Sequence, residues 1–247
     1  MQSSYAAGDG RKPLKAGFLF SGGKDSTFAI IESMRRHHEA TCLITVHPTP
    51  ESSMFHYPNT RWTRLQAQAL ELPQLEITAD AQEGSEKGFL SALIAEAKYR
   101  YGLEAIVSGT IASAFQKKRI DIICAELGLV HEAPLWGTEA ELLLRKEIES
   151  GIEAIVTACM AWGLTKEILG RRLEAALVEE LKRLSVKYGI NLTFEGGEAE
   201  TFVLDAPIFS KRIRVLKSEI VWKMDSGYLQ IRDAELVPKL KLRGESP

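Results

Sequence analysis

The chain has 247 residues, of which 31 are Lys or Arg and 33 are Asp or Glu, so its net charge at pH 7 is -2. This near balance disfavours a dedicated nucleic-acid binder, which usually carries a basic excess, and 45% hydrophobic with 26% charged residues excludes a disordered or fibrous chain. A chain of this length can bury roughly 70–75% of its unfolded surface and can form one or two domains.

The beginning of the chain and its cysteines favour a cytoplasmic protein. No apolar run approaches the roughly 20 residues of a membrane span, so no membrane partner is expected. Residues 1–13 are small and polar, unlike a secretory signal, and we expect them to form a flexible N-terminus. Cys42, Cys124 and Cys159 lie far apart without a CxxC pair, which disfavours a disulfide framework and a cysteine-based zinc site.

The first half of the chain alternates strand and helix patterns. Short apolar runs that end at turn residues predict strands at Lys15–Phe20, Ala40–Val46, Leu75–Thr78 and Glu104–Ser108. Apolar residues at helical spacing predict helices at Ser26–His38, Trp62–Leu72, Gly88–Tyr101 and Ala114–Leu127. This order predicts an α/β fold in which helices cover a parallel sheet.

The second half has a different pattern, and a soft boundary falls near residues 126–132. Helices are predicted at Glu139–Ile148 and, with a break at Gly170, at Thr165–Tyr188. Strands are predicted at Ile152–Cys159, Arg212–Trp222 and Tyr228–Leu236, the last two joined by the turn residues Asp225-Ser226-Gly227. We therefore expect a smaller C-terminal α+β part.

A glycine-rich loop, Ser21-Gly22-Gly23-Lys24-Asp25-Ser26, joins the first predicted strand to the first predicted helix. Its glycines let an oxygen approach the main chain, so the loop N–H groups and the helix dipole can hold an anion. Lys24 adds a positive charge, whereas Asp25 would repel a phosphate unless a cation such as magnesium lay between them. The loop differs from Walker A and GxGxxG patterns. It resembles the SGGxDS loop of ATP pyrophosphatases, and an ordinary strand-to-helix turn is the alternative.

A second motif, Glu195-Gly196-Gly197-Glu198-Ala199-Glu200-Thr201, precedes an apolar stretch. Glu198 and Glu200 are two residues apart and would face the same side of an extended segment. Clustered carboxylates attract a metal or a substrate ammonium, or raise one another's pKa. The alternative is a solvated acidic turn before a strand. The residues alone give a binding site and such a turn about equal support.

The two motifs together resemble those of the diphthine–ammonia ligase family. Residues 195–207, which end in Asp205-Ala206-Pro207, are similar to that family's EGGExET…LDxP signature. Further segments are similar in the same order, at residues 51–59 (MFHxPN), 108–119 (SGAIxSxYQxxR) and 127–136 (LGL…PLW). Three positions depart from the family pattern: Phe115, Ile168 and Ala199. These departures concern the shape of the acceptor site rather than the nucleotide chemistry.

The resemblance implies a function and a fold. The family uses ATP and ammonia to amidate the carboxylate of diphthine, a modified histidine of translation elongation factor 2, through an acyl adenylate. The implied fold is a doubly wound α/β parallel sheet of the adenine nucleotide α-hydrolase (HUP) type. An ATP-binding pyrophosphatase domain is expected at residues 14–130 and an acceptor-substrate domain at residues 131–247, in the short archaeal-type form.

The resemblance and the charges of the side chains also imply roles for individual residues. Lys24, Asp25, Glu198 and Glu200 are expected to be catalytic, with Asp25 as the ligand of Mg²⁺. ATP is expected to contact Ser21, Gly22, Gly23, Lys24, Asp25, Ser26, Val46, Gly109 and Thr110. The diphthine-bearing substrate is expected to contact His56, Tyr57, Gln116, Arg119, Glu195, Gly196, Gly197, Glu198, Glu200, Thr201 and Asp205. Glu198 and Glu200 could attract the trimethylammonium, accept a proton or bind a second metal.

Other functions remain as alternatives. A tRNA-modifying ATP pyrophosphatase of the thiolase or lysidine type usually has paired cysteines or a basic RNA-binding extension, and neither is present in this sequence. A non-catalytic ATP-binding module would not need Asp25 or the acidic motif. A synthetase that makes its own ammonia would need a glutaminase nucleophile, usually Cys or Ser with His. No such constellation is visible in the sequence, so free ammonia is the expected donor.

Overall fold

The computed structural model describes residues 12–47, 59–78 and 85–239, and a five-stranded parallel sheet forms the first part. Its strands are β1 (Lys15–Leu19), β2 (Glu39–His47), β3 (Gln74–Thr78), β4 (Ala105–Val107) and β5 (Val130–Glu132). They lie in the order β3-β2-β1-β4-β5, and each neighbouring pair is parallel. Parallel strands need crossover connections, which are α1 (Lys24–Arg35), α2 (Thr63–Leu70), α3 (Ser85–Tyr101) and α4 (Ala114–Glu126).

Both faces of this sheet are buried, which explains the continuous apolar runs of its strands. Neighbouring residues separate into two hydrophobic layers, because successive side chains of a strand point to opposite faces. Leu43 belongs to the layer that contains Phe28 of α1, whereas Ile44 belongs to the layer that contains Ile94 of α3 and Ile123 of α4. The structure therefore confirms the predicted doubly wound α/β fold.

A four-stranded antiparallel sheet forms the second part. Its strands are β6 (Glu153–Cys159), β7 (Ala199–Asp205), β8 (Lys211–Lys223) and β9 (Ser226–Pro238), in the order β7-β6-β9-β8. The helices of this part are α5 (Ala140–Glu149) and α6 (Ala175–Tyr188), and 3-10 turns lie at Thr60–Trp62 and Lys166–Ile168. The predicted α+β part is confirmed. Within the described ranges, none of the helices is long and apolar enough to cross a membrane.

The two sheets share one hydrophobic core. A single cluster of buried side chains joins Phe18 of β1 and Phe28 of α1 to Phe202 and Val203 of β7. α1 lies between the sheets and contacts both α5 and β7. The glycine-rich loop at the start of α1 therefore lies where the two parts meet.

One predicted helix needs correction, and β5 and β7 were not among the predicted strands. The helix predicted over Thr165–Tyr188 begins only at Ala175. Before it, Gly170 has a φ of +81°, and Arg172 forms an antiparallel bridge with Ile155 of β6. This bridge pairs the segment with the second sheet, and Gly170 permits the backbone turn that brings the segment to β6. β5 was not predicted, because Val130-His131-Glu132 contains only one apolar residue and so shows no apolar run.

Close packing between two main-chain segments makes Gly109 a sensitive position. A Cβ atom there would lie 2.8 Å from the carbonyl carbon of Asp25 and 2.9 Å from the backbone nitrogen of Ser26. We expect Gly109→Ala to lower the free energy of unfolding by about 1–3 kcal/mol, as overpacking does. Gly88→Ala, in α3, is the control, because a Cβ atom at that position would have no neighbour within 4 Å. This variant should raise the free energy of unfolding by about 0.5–1 kcal/mol. Equal midpoints for the two variants in urea denaturation would contradict this packing.

Candidate functional site

A cavity of about 500 Å³ opens where the carboxyl ends of β1 and β4 meet the second sheet. Its lining combines residues 21 and 23–26 of the glycine-rich loop, residues 108–111 after β4, and residues 193–197 and 199–201 around the second motif. The chain runs from β1 outward to β3 and then returns to β4 on the other side. Such a reversal of strand order is where open α/β sheets bind ligands, and the volume is typical of a small-molecule site.

Hydrogen bonds connect the glycine-rich loop to the end of the second motif and to the residues that follow it. The backbone nitrogen of Lys24 donates to Oγ1 of Thr201 at 3.1 Å, and the backbone nitrogen of Val203 donates to the carbonyl of Gly22 at 3.0 Å. Nε2 of Gln66, in α2, donates to the carbonyls of Gly22 and Val203, at 2.8 Å each. The residue before α1 provides no side-chain cap. Thr201 therefore supplies a cap across the two parts of the fold.

Lys24 points into the protein interior. Its side chain is 1% exposed, and its Nζ lies 3.3 Å from Oε2 of Glu147, in α5, which is also 1% exposed. The same Nζ contacts Oδ1 of Asp25, whose side chain is 30% exposed and lines the cavity. Burial acts to lower the pKa of Lys24, but the nearby Asp25 and Glu147 outweigh it and raise that pKa overall. The ammonium is thus charged and lies beneath the loop.

Burial has the opposite consequence for Glu147. It raises the pKa of this carboxyl well above its usual range, and the negative charge of Asp25 adds to the effect, although Lys24 acts against it. One buried ammonium can neutralise only one of the two carboxyls. We assign the proton to Glu147, the fully buried carboxyl of the two. Asp25 is the carboxyl that faces the cavity.

The sequence interpretation missed Glu147. Its position on the apolar face of α5, four residues after Leu143 and three after Leu144, was the available signal, because all three side chains are buried. An acidic residue in such a stripe is costly to bury without a partner, and here the partner comes from the glycine-rich loop.

Glu195 joins the second motif to the segment that precedes α4. Its Oε1 accepts hydrogen bonds from the backbone nitrogens of Ile111, Ala112 and Ser113, at 3.2, 2.8 and 2.9 Å. These residues directly precede α4, so the carboxylate also meets the positive end of the helix dipole. The structure places Glu195 as a connection between the two parts, with its carboxylate held by main-chain donors.

The other acidic residues of the motif lie in different surroundings. Glu200 lines the cavity, whereas Glu198 does not. Oε2 of Glu198 accepts from the backbone nitrogen of Asn191 at 2.8 Å, and burial raises the pKa of this carboxyl. Asp205 lies at the far end of β7, where Oδ1 is 2.8 Å from Nζ of Lys239. The structure therefore does not bring Glu198 and Glu200 together at the cavity.

Most of the expected contact residues meet in one place. Those that line the cavity are Ser21, Gly23, Lys24, Asp25, Ser26, Val46, Gly109, Thr110, Gln116, Arg119, Glu195, Gly196, Gly197, Glu200 and Thr201. Gly22, Glu198 and Asp205 lie outside this lining. His56 and Tyr57 are outside the described residues.

A magnesium ion would need more than the protein to hold it. In the part of the chain that the structure describes, no group of three or more His, Cys, Asp or Glu side chains is placed to bind a metal. Asp25 presents one partly exposed carboxylate to the cavity. Mg²⁺ commonly binds one or two carboxylates together with substrate phosphates. The donors present therefore fit Mg²⁺ when a nucleotide supplies the remaining oxygens.

Comparisons with known proteins agree on one family. A family model described as the diphthamide synthase N-terminal domain matches residues 14–131, and one described as the C-terminal domain matches residues 139–237. The chain is 33% identical over 261 residues to a diphthine–ammonia ligase of Schizosaccharomyces pombe, across 92% of this chain and 43% of that protein. It is 31% identical over 232 residues to one of Danio rerio, across 86% of this chain and 91% of that protein. The chain thus spans less than half of the first relative and most of the second.

A solved structure is similar at a lower level. It is described as a predicted subunit of tRNA methyltransferase from Methanocaldococcus jannaschii. The alignment covers 78% of this chain and 97% of that chain, with 16% sequence identity and a TM-score of 0.42.

The raised pKa of Glu147 predicts a pH dependence of stability. The protonated carboxyl is favoured in the folded state, so its contribution is complete below the unfolded pKa near 4.5 and is lost as pH rises through the folded pKa. Glu147→Gln mimics the protonated form and cannot titrate. Relative to this variant, the wild type should lose free energy of unfolding with increasing pH. Urea titrations of both proteins across that range test this, and two parallel pH profiles would contradict the assignment of the proton.

The contacts of Glu195 predict a coupling between the second motif and the segment before α4, whose Ile111 lines the cavity. Glu195→Ala removes the shared acceptor of three backbone donors and should cost about 1–3 kcal/mol of stability, together with a loss of ATP affinity. Glu139→Ala is the matched control, because Glu139 also accepts two backbone hydrogen bonds, at the start of α5. It should cost about 0.5–2 kcal/mol and leave ATP affinity unchanged. Calorimetric titration with ATP separates the two variants, and equal ATP affinities would refute the coupling.

Proposed function

The chain belongs to the diphthamide synthase family, and on this premise we propose that it is an ATP-dependent ligase that amidates the carboxylate of diphthine with ammonia. The protein substrate is translation elongation factor 2, on which diphthine is a modified histidine. The observation that carries the proposal is the shared cavity: the glycine-rich loop and the acidic motif line the same space. A ligase of this kind needs both a triphosphate and a carboxylate at one site.

The proposed reaction activates the carboxylate before the nitrogen attacks. The diphthine carboxylate attacks the α-phosphorus of ATP, and pyrophosphate leaves. The resulting acyl adenylate replaces the poor oxide leaving group of a carboxylate by AMP. Ammonia then attacks the acyl carbon, AMP leaves with the electron pair of the C–O bond, and one proton is released.

The glycine-rich loop is proposed to hold the departing pyrophosphate. The start of α1 faces the cavity, so its backbone donors and helix dipole favour an anion there. The charged Nζ of Lys24 lies beneath the loop, in a buried position where charge is weakly screened. We assign it to offset the charge that grows on the phosphates, an effect that needs no movement during the reaction. Val46 and Thr110 belong to the rest of the nucleotide wall.

Asp25 is the residue that would hold magnesium together with the phosphate oxygens. When bound, the metal would neutralise phosphate charge. The ammonium of Lys24 contacts one oxygen of the Asp25 carboxylate and so fixes its direction. This contact holds the Asp25 carboxylate toward the cavity.

The opposite wall is proposed to receive the acceptor. Glu200 and Thr201 lie on this wall, with Gln116 and Arg119 of α4 nearby in the same lining. The carboxylate of Glu200 can attract the trimethylammonium of diphthine, while Arg119 and Gln116 are donors suited to its carboxylate or to a phosphate. The role proposed for Glu198 is indirect. Its main-chain carbonyl accepts hydrogen bonds from the backbone nitrogens of Met160 and Ala161, and these bonds fix the path of the motif.

The decisive assay combines the protein with diphthine-bearing elongation factor 2, ATP and ammonium. We expect AMP and pyrophosphate, and a fall of about one mass unit on the modified histidine as OH is replaced by NH2. Asp25→Asn should lower AMP formation by at least about 100-fold, the scale of losing a key electrostatic group. Asp233→Asn, an exposed change in β9, is the control. ADP as the nucleotide product, or an unchanged mass, would refute the proposed reaction.

A further inference from the structure

A row of hydrogen-bonded side chains begins at the cavity wall, in the segment that follows β4. Ser108 and Thr110 both line the cavity, and their hydroxyl oxygens lie 3.0 Å apart. Both residues are buried, and Ser108 is only 2% exposed. Buried hydroxyls need partners, and each of these has the other.

The row continues through a histidine to the surface. Oγ of Ser108 lies 2.9 Å from Nε2 of His131, and Nδ1 of His131 lies 2.6 Å from Oδ1 of Asp121. The His131 side chain is 3% exposed, whereas that of Asp121 is 44% exposed. The other Asp121 oxygen accepts from Nζ of Lys117 at 2.9 Å. Four side chains thus connect the cavity to solvent.

The fold explains why these residues meet. His131 is the central residue of β5 and pairs with Ile106 of β4, while Ser108 directly follows β4. Asp121 lies on α4, which packs against β5. The row is therefore built on regular elements of the parallel sheet, which hold the distances between the four groups.

The protonation states are compatible with proton movement along this row. Burial lowers the pKa of His131, and Lys117 acts in the same direction, although Asp121 and, more weakly, Glu132 act against it. The imidazole is then neutral at pH 7. The hydrogen bond to the Asp121 carboxylate places the ring proton on Nδ1, so Nε2 is free to accept from the Ser108 hydroxyl.

We propose that Thr110, Ser108, His131 and Asp121 form a proton relay that carries away the proton released when ammonia attacks the acyl adenylate. This inference rests on the proposed function and adds an acceptor for its proton. Thr110 and Ser108 touch the cavity, whereas His131 and Asp121 act through them.

The new C–N bond forms as the C–O bond to AMP breaks, and AMP keeps that electron pair. The surplus proton on nitrogen passes to the Thr110 hydroxyl, whose own proton passes to Ser108, and that of Ser108 to Nε2 of His131. The Asp121 carboxylate stays ionised and stabilises the imidazolium formed. After AMP leaves, the Nε2 proton returns through Ser108 and Thr110 to water in the open cavity, and the ring is again in its neutral Nδ1–H form.

A Ser-His-Asp row is also the arrangement of a nucleophilic hydrolase, which would release ammonia from glutamine. The geometry favours the relay. The Ser108 hydroxyl is bonded on both sides and is 2% exposed, whereas a nucleophile needs an open approach to the carbon that it attacks. The two possibilities predict different variants and different nitrogen donors.

The test separates the two halves of the reaction. Exchange of labelled pyrophosphate into ATP, measured with diphthine-bearing elongation factor 2 and no ammonium, reports adenylation alone. His131→Gln keeps a hydrogen-bonding side chain that cannot carry the proton. We expect it to leave exchange unchanged and to lower the kcat of amidation on the order of 100-fold. His37→Gln, an exposed control after α1, should change neither rate.

Two further variants guard against a folding defect. Thr110→Val should lower the kcat of amidation, and Thr110→Ser should restore it because the hydroxyl returns. Equal losses of exchange and amidation in His131→Gln, or an unchanged amidation rate, would overturn the relay. Loss of glutamine-dependent but not ammonia-dependent turnover in Ser108→Ala would make Ser108 a nucleophile instead.

A spectroscopic measurement tests the relay without any turnover. Nitrogen-15 shifts of His131 at pH 7 should show the neutral Nδ1–H form, and Ser108→Ala should shift the Nε2 signal. An imidazolium, or a proton on Nε2, would overturn the relay even if amidation is found. A correct His131 signal in a wild type without pyrophosphate exchange would refute the proposed function while leaving the row itself supported.

Discussion

The arrangement of this protein depends on β7 packing against the glycine-rich loop. Thr201 accepts the backbone hydrogen bond of Lys24 and thereby caps α1, and Val203 donates to the carbonyl of Gly22. These contacts connect residues about 180 positions apart in the sequence. Gln66 adds two hydrogen bonds at the same point, one to each segment. Without these contacts the loop would be an ordinary turn after the central strand β1, and nothing would hold the acidic motif beside it. With them the glycine-rich loop and the acidic motif are walls of one cavity.

Burial then decides what each charged group can do. Lys24 and Glu147 are both buried, so the charge of the Lys24 ammonium is weakly screened, while the Glu147 carboxyl holds a proton. Asp25, which shares the ammonium with Glu147, keeps its exposed side toward the cavity. Glu195 is engaged by three main-chain donors, while Glu200 faces the cavity. Residues of one acidic motif thus have separate tasks, because the turn at the two glycines directs them to different neighbours.

The sequence predicted the features that depend on local pattern and left out those that depend on long-range contact. The strand-helix alternation was enough to predict the parallel sheet, and the loop at the first strand-helix junction was found directly. A two-residue spacing wrongly suggested that Glu198 and Glu200 share one side, because the segment is extended only from Ala199 onward. Both β6 and α5 were predicted, but the pairing of the segment before α6 with β6 and the contact of Lys24 with α5 are long-range contacts that no local pattern reveals. The row from Ser108 to Asp121 was invisible for the same reason: its residues are ordinary in sequence and meet only through the register of β4 and β5.

We propose that one cavity, closed by β7 on the glycine-rich loop, holds ATP with its α-phosphorus facing the acceptor wall. A crystal structure with magnesium and α,β-methylene-ATP, which cannot be cleaved between the α and β phosphates, tests this most directly. The account predicts the β and γ phosphates at Ser21–Ser26, the adenine toward Val46 and the α-phosphorus toward Glu200 and Thr201. A nucleotide bound elsewhere, or phosphates at the loop with the α-phosphorus turned away from β7, would contradict it.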